Sequence, residues 1–379
     1  MTTSISPASV GTAAEPDLLY SDVEEDLRST VRDLLQVRCP AEAVAATYDG
    51  DRSVVGPLWR ALAADLGLAG LLVQESAGGA GASAREAAVV LEELGRAVAP
   101  VPFLASAVVA TVLLPEGDFL AALASGGRTA ALAVPLPSTA WDFRPTVKAD
   151  GDLLGGEVRS VAGALEADVL LVPVEVPGGV EIRSVDTSSV GLHPVVSLDM
   201  SRQLADVSFA GATSRTVVAG PDGPRRLGAA LQTGTALLAS EQVGLAQWCL
   251  DATVAYLKER RQFGRVVGGF QAVKHRLADL FVQVEQARAA ARYAAATTAG
   301  GDPDAAVAAS VAQAYCSDVA VRVAEECVQL HGGIGMTWEH PAHLYLKRAK
   351  ADQVAFGTPA KHRAHLAALV DLPHPGGSA

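Results

Sequence analysis

A chain of 379 residues with 30 Lys and Arg against 42 Asp and Glu, a formal net charge of −12, lacks the basic footprint by which proteins hold nucleic acid. Half of its residues are hydrophobic but only 5% are aromatic, so the substantial core it can bury is mostly aliphatic. Its four cysteines show no metal-ligand spacing and no Cys-x-x-Cys pair.

Residues 1–17, "MTTSISPASVGTAAEPD", have neither a basic nor an apolar targeting segment and read as a flexible tail. Residues 18–127 form the first unit, an N-terminal helical domain. In "DVEEDLRSTVRDLL", "LWRALAADLG" and, after the turn "SAGGAG", "ASAREAAVVLEELGRAVA", apolar residues recur at three- and four-residue spacing. The uncharged run "AVAPVPFLASAVVATVLLP" starts at Ala97, but Pro100 and Pro102 delay its helix to about Phe103. The remaining helix, to Leu114, spans about 18 Å against the ~30 Å of a hydrocarbon core, so it is a buried helix and not a membrane span.

The texture changes near Arg128. "TAALAVPL", "GEVRSVAGA", "DVLLVPVEV", "VEIRSV" and "PVVSLDM" are short β-branched runs broken by Gly, Pro and Asp. They predict a small antiparallel middle domain over 128–223, like a sandwich or barrel. A C-terminal helical bundle occupies 224–372, interrupted by "AGGDPD" at 299–304, and 373–379 is a tail. The fold class is therefore mainly α with a central β domain. Cys316 and Cys327 share one predicted helix about 16 Å apart along its axis, too far for a disulfide. Buried free thiols in a reducing, cytoplasmic compartment are expected.

Two segments of the last third are specific: "ERRQFGRVVGGFQAVKHRLADL" (259–280) and "QLHGGIGMTWEHPAHLYLKRAKADQVAFGTP" (329–359). Arg260 offers a rigid fork of donors suited to a pyrophosphate, Phe263 an aromatic face and Gln271 an amide. The glycines at 332, 333 and 335 allow backbone amides to approach an anion closely. With "SAGGAG", "VLEELGRAVAPVPF" and the hairpin "DGDLLGGEVRSVAGALEAD", these segments resemble the acyl-CoA dehydrogenase family over nearly the whole chain. The resemblance implies FAD, an acyl-CoA substrate, electron-transfer flavoprotein as a partner, and α,β-dehydrogenation. In that chemistry a glutamate takes the α-proton and flavin N5 the β-hydride. It also implies that Arg260, Gln262, Phe263, Gln271, Gln329, Gly332, Gly333 and Thr358 line FAD, mostly its ADP half and across a subunit interface.

The chain departs from the family where the chemistry lies. Many members read Tyr-Glu-Gly-Thr at the base loop; here it is Ala355-Phe356-Gly357-Thr358, and phenylalanine accepts no proton. Other members place the glutamate at the position of Gly234. The nearest carboxylate, Glu241, is one heptad on and about 10.5 Å along the helix, beyond the ~3 Å reach of a general base. Its expected role is a core-edge carboxylate bonded between helices, with a weak alternative as base. The flavin-ring motifs are replaced by "AVPLPSTAW" and Ser160-Val161-Ala162. These losses resemble the base-lacking subunit of bacterial α2β2 members, which implies a hetero-oligomer with a homologous subunit. The alternatives are a self-sufficient homotetramer using Glu241, or a non-catalytic scaffold or regulatory subunit; a flavin monooxygenase has no positive signal.

Three smaller expectations complete the reading. His340 with His343 and His362 with His365 have helical metal spacing but no intervening carboxylate, so no metal is expected. Lys347, Arg348 and Lys350 read as a solvated helix face. The small residues Gly234 and Ala355 leave room for a bulky, ring-bearing acyl group.

Overall fold

The computed structural model describes residues 17–177 and 179–372, so the two expected tails lie outside it apart from Asp17. α1 (Asp22–Arg38) begins at a reciprocal cap: the Ser21 hydroxyl accepts the Glu24 amide while the Glu24 carboxylate accepts the Ser21 amide. Short α2 (Ala41–Ala46) and α3 (Val55–Arg60) follow, the latter continuing through π-type turns at Ala61–Asp65. α4 (Ala84–Arg96) repeats the cap with Ser83 and Glu86. After Pro102 the chain winds through π-type turns at Phe103–Ala110 into α5 (Thr111–Leu113), where the prolines place the start. α6 (Asp118–Ala124) closes this region.

Eight strands come next: β1 (Ala130–Leu132), β2 (Lys148–Asp150), β3 (Leu153–Ala162), β4 (Val169–Val176), β5 (Gly179–Asp186), β6 (Gly191–Val195), β7 (Leu204–Thr213) and β8 (Arg215–Val218). They form two four-stranded sheets in the orders β1-β4-β5-β8 and β2-β3-β7-β6. Leu154, Val158 and Val161 of one sheet meet Leu170, Val172 and Val174 of the other in a common core. Leu171 of β4 points the opposite way, into a core with the helices. Burial on both faces is why β4 reads as a continuous apolar run.

Two expectations need correction here. The unit is mixed, because β1 pairs parallel to β4 with Ala130 opposite Val169. The intervening β2 and β3 belong to the second sheet and return the chain to the first in the same direction. The run "PVVSLDM" stays in a strand only to Val195. Its remainder leaves the sheet and buries Asp199 against the helices.

α7 (Asp222–Glu259) is a 38-residue helix. A hairpin of β9 (Arg261–Gln262) and β10 (Arg265–Val266) leads to α8 (Gln271–Gly300). α9 (Ala305–His331), α10 (Ala342–Val354) and α11 (Pro359–Leu369) complete the bundle. α4 lies so close to α7 that a Cβ at Gly244 would stand 1.7 Å from the Glu92 carbonyl oxygen. One hydrophobic core runs from α1 and α4 through α7, α8, α9 and α10, so the first helices and the bundle are packed as one body. No helix of the described residues is long and apolar enough to cross a membrane.

Candidate active site

The C-terminus of α7, the N-terminus of α8 and the C-terminus of α9 meet at one end of the bundle. Arg276 of α8 pairs with Glu326 of α9, and Tyr256 of α7 stacks on His331 at 4.6 Å. Arg260 ends α7, Gln262 and Phe263 lie in the hairpin, Gln271 opens α8, and Gln329, Gly332 and Gly333 close α9; all seven are exposed. The turn Phe263-Gly264 has φ of +52° and +77°, the left-handed pair of a type I′ hairpin. Phenylalanine in that region costs about 1–3 kcal/mol, and its ring is 91% exposed. Gly332 ends α9 at φ +65°, ψ −140°, a conformation essentially restricted to glycine. The fold thus presents a strained aromatic turn, whose ring meets only the edge of Phe270 among the described aromatic rings, and an open glycine bend at the same end of the bundle.

Thr358 lies elsewhere, capping α11 through its hydroxyl, which accepts the Lys361 amide. Just before it Phe356 stands at φ +53°, its N–H donating to the Leu136 carbonyl at 2.9 Å. The Leu136 N–H in turn donates to the Ser160 carbonyl at 3.0 Å. The backbone of one residue therefore ties the base position to the start of the segment that replaces the flavin-ring motif. The Phe356 ring packs on Gly234 and Val109, so the room expected at Gly234 for a bulky acyl group is filled by the chain itself.

Glu241 is buried, and both its oxygens are taken. Arg202 Nη2 donates to Oε1 and Oε2 at 2.7 and 2.6 Å, and Arg348 Nη1 to Oε1 at 2.6 Å. Burial alone would raise this carboxyl, but the two guanidiniums hold it below the ordinary range. Arg348 is not on a solvated face: it is 2% exposed and also binds Asp199 and Ser201 at 2.6 and 2.7 Å. The local spacing that suggested a basic face misses this because its partners come from the loop after β6 and from α7. Lys350 is solvated, paired with Glu325, while Lys347 sits over the rings of Tyr48 and Trp338. Arg202 also donates to Asp352 Oδ1 at 2.6 Å, leaving Asp352 Oδ2 buried without a partner. Neither Arg202 nor Asp352 was legible as a site residue; the only signal was the i, i+4 spacing of Arg348 and Asp352 on α10, and the two do not bond each other.

The loop carrying "PSTAW" is latched onto α11. Trp141 stacks on His365 at 3.8 Å, and Asp142 pairs with Lys361 at 2.8 Å. His362 is buried, pushed down to about 4 by that burial, and its Nε2–H donates to the Phe356 carbonyl at 3.0 Å. His340 lies against the His331 ring and His343 against Trp338. Among the described residues no group of three or more His, Cys, Asp or Glu can hold a metal. The four cysteines are buried and unpaired. Beside Phe356 an apolar cleft of about 740 Å³, partly open to solvent, is lined by Pro102, Leu104, Val134 and Leu136, with Arg202 and Glu166 at its wall.

The features suited to FAD are exposed at one end of the bundle. The exposed Phe263 turn and the open Gly332 bend suit the ADP half. The Ser160–Leu136–Phe356 backbone chain lies along the wall of the apolar cleft and carries no side-chain acid or base of its own beyond the Ser160 hydroxyl. Comparison with known proteins agrees with the fold. Residues 21–118 and 222–370 match the profiles of the acyl-CoA dehydrogenase N-terminal and C-terminal domains. The chain is 36% identical over 352 residues to acyl-CoA dehydrogenase IpdE2 of Mycolicibacterium smegmatis, covering 92% of this chain and 99% of that one. Among solved structures it is similar to a variant of the Tcur3481–Tcur3483 steroid ACAD, with TM-score 0.81 and 29% identity over 92% of this chain and 98% of that one. A chain of the ChsE4–ChsE5 complex from Mycobacterium tuberculosis is similar at TM-score 0.83 and 26% identity, over 94% of this chain and 100% of that one. Motifs, architecture and these likenesses agree: the chain belongs to the acyl-CoA dehydrogenase family, FAD-dependent oxidoreductases that act on acyl-CoA.

Proposed function

We propose that this chain is the base-lacking subunit of a heteromeric acyl-CoA dehydrogenase. It contributes the ADP half of a FAD site, and a homologous partner contributes the flavin-ring site and the glutamate. The observation that carries this reading is the Phe356 ring packed on Gly234, so that neither position at which the resemblance puts the glutamate carries a carboxylate. When bound, FAD supplies the hydride acceptor for α,β-dehydrogenation. This chain's part is binding: the Arg260 guanidinium faces the pyrophosphate, Phe263 offers its ring, Gln262, Gln271 and Gln329 offer amides, and Gly332 and Gly333 admit the anion closely. Thr358, as the cap of α11, has a positioning role beside that site.

Two similar structures carry paired names, Tcur3481–Tcur3483 and the ChsE4–ChsE5 complex, which supports a heteromer. The word steroid in the first supports a ring-bearing acyl-CoA substrate, bound chiefly by the partner because Phe356 fills the space at Gly234 here. Electron-transfer flavoprotein is the acceptor the family implies. The unpaired thiols support a reducing, cytoplasmic location. A homotetramer using Glu241 is disfavoured by the two arginines that occupy its carboxylate. A scaffold with no part in turnover leaves the strained Phe263 turn unexplained.

The test is flavin content and mass of the purified chain, alone and co-expressed with a homologous subunit. Flavin appearing only in the complex, at one per pair, is expected. One FAD per chain in an active homotetramer would overturn the reading. Flavin content unaffected by Arg260→Gln or Gln329→Ala in the complex would favour the scaffold.

A further inference from the structure

Between the first helices and the bundle lies a second cavity, whose lining shares no residue with those placed at the FAD site. It holds about 670 Å³ of empty space, partly open to solvent, and is strongly polar. Arg28 and Arg32 of α1, Glu92, Glu93 and Arg96 of α4, Gln247 of α7, and Glu285, Arg288 and Arg292 of α8 line it.

The carboxylates here are already engaged. Glu93 receives both Nε and Nη2 of Arg32, at 2.9 and 2.6 Å. Glu92 receives Arg288 on one oxygen and, on the other, the Tyr20 hydroxyl at 3.0 Å and Arg28 Nη2 at 3.5 Å. Glu285 accepts from Arg288 at 3.3 Å, and Arg96 pairs with Asp251 at 2.9 Å. Two guanidiniums are held more loosely. The nearest carboxylate oxygens to Arg28 stand at 3.5, 3.5 and 3.9 Å, longer than the ~2.7–2.9 Å of a charge-assisted bond. Among the described residues Arg292 donates only to the Leu18 carbonyl, at 3.2 Å. The Nε of each is buried with no partner among the described residues.

These two arginines are also held in place. Their guanidiniums lie over the Tyr20 ring, with Cζ 4.3 Å from its centroid for Arg28 and 3.9 Å for Arg292. A guanidinium donates in its own plane, so stacking on a ring occupies a face and leaves the fork of N–H groups free. We propose that this cavity binds a compact polyanion of the phosphate class, gripped by Arg292 and by Arg28, whose long contacts to Glu25, Glu92 and Glu93 a phosphate oxygen would replace. Such a ligand would tie α1 to α8 and so the N-terminal helices to the bundle. Its source is a free phosphate or pyrophosphate, or the phosphate end of a coenzyme.

Thermal unfolding of the purified, full-length oligomer at constant ionic strength, titrated with pyrophosphate and separately with coenzyme A, tests this. A saturable rise in Tm is expected, absent with chloride, and weakened about tenfold or more by Arg28→Gln or Arg292→Gln. Arg260→Gln, at the FAD site, should leave it intact. A response to both probes would indicate a free anion, and a response to coenzyme A alone a coenzyme. No saturable response, or one lost with Arg260→Gln and kept in the other variants, would overturn the proposal. Crystals of the unmodified protein soaked in tungstate give a measurement independent of variant folding: the anomalous peak should lie within hydrogen-bond distance of Arg28 and Arg292. A peak only elsewhere, or none, counts against the site.

Discussion

The ring of Phe356 lies where a side chain on Gly234 would have to be: a Cβ at 234 would stand 2.9 Å from Phe356 Cζ and 3.0 Å from Val109 Cγ2. The two places where the family carries its base are thus neighbours in space, and here an aromatic ring fills both. In a helix interior Gly→Ala normally stabilises by about 1 kcal/mol. Gly234→Ala should instead destabilise by about 1–3 kcal/mol, because the methyl meets a packed ring. Adding Phe356→Ala should remove most of that cost, giving a coupling of at least about 1 kcal/mol in urea unfolding. Additive effects would show that the two residues do not share the space.

Glu241→Gln separates the structural role of this carboxylate from a catalytic one. Arg348 and Arg202 would each lose an ionic partner, with Arg348 fully buried, and breaking such a pair costs about 3–5 kcal/mol. The variant is expected to unfold at much lower urea, with the assembly's turnover falling only in step with folded protein. Turnover lost with stability and flavin retained would make Glu241 the base.

How much of this was readable follows the range of the contacts. The prolines before Phe103 and the glycines from 332 are local signals, and the sequence pattern located both; the reciprocal caps at Ser21 and Ser83 are equally local but were passed over. The departure at Phe356 was equally local, since it sits inside a recognisable loop. The ionic cluster was not, because Arg348 and Asp199 are 149 residues apart and meet only after the chain leaves β6 early. Periodicity cannot tell a solvated arginine from one whose partners arrive from another domain. The Leu136 link was invisible for a different reason: it is made by backbone atoms, which carry no side-chain signature.

Asp352 sets a pH dependence of stability. Burial is the main cause that pushes its carboxyl up to about 7 from an ordinary 3.8, with Glu241 and Asp199 adding to it and Arg202 and Arg348 opposing. A carboxyl raised on folding keeps its proton in the native state while the unfolded chain releases it. This group's contribution therefore falls as pH rises from about 4 to about 7 and is level above that. Glu241 and Asp199, held low, act oppositely and matter only under more acid conditions. Asp352→Asn should flatten the decline, measured as the difference between urea midpoints at about pH 5 and about pH 8. Asparagine also places an amide where Oδ2 has no partner, so the offset at all pH values is not the test; the slope is. An unchanged slope would show that Asp352 is ionised throughout.

Phe263 separates stability from function in the opposite sense to Glu241. Its backbone sits at φ +52°, which costs a non-glycine residue about 1–3 kcal/mol, and its exposed ring recovers little of that within the chain. Glycine would relieve the strain while adding about 0.5–1 kcal/mol of unfolded-chain entropy. Phe263→Gly should therefore leave the stability of the isolated chain unchanged or slightly raised. If the ring is there for the ADP half of FAD in an assembly, the same substitution should lower flavin content of the co-expressed complex, with the mass of that complex retained. Flavin content and assembly both unaffected would mean that the strained turn serves neither. Assembly lost before flavin would move Phe263 from the cofactor to the subunit contact.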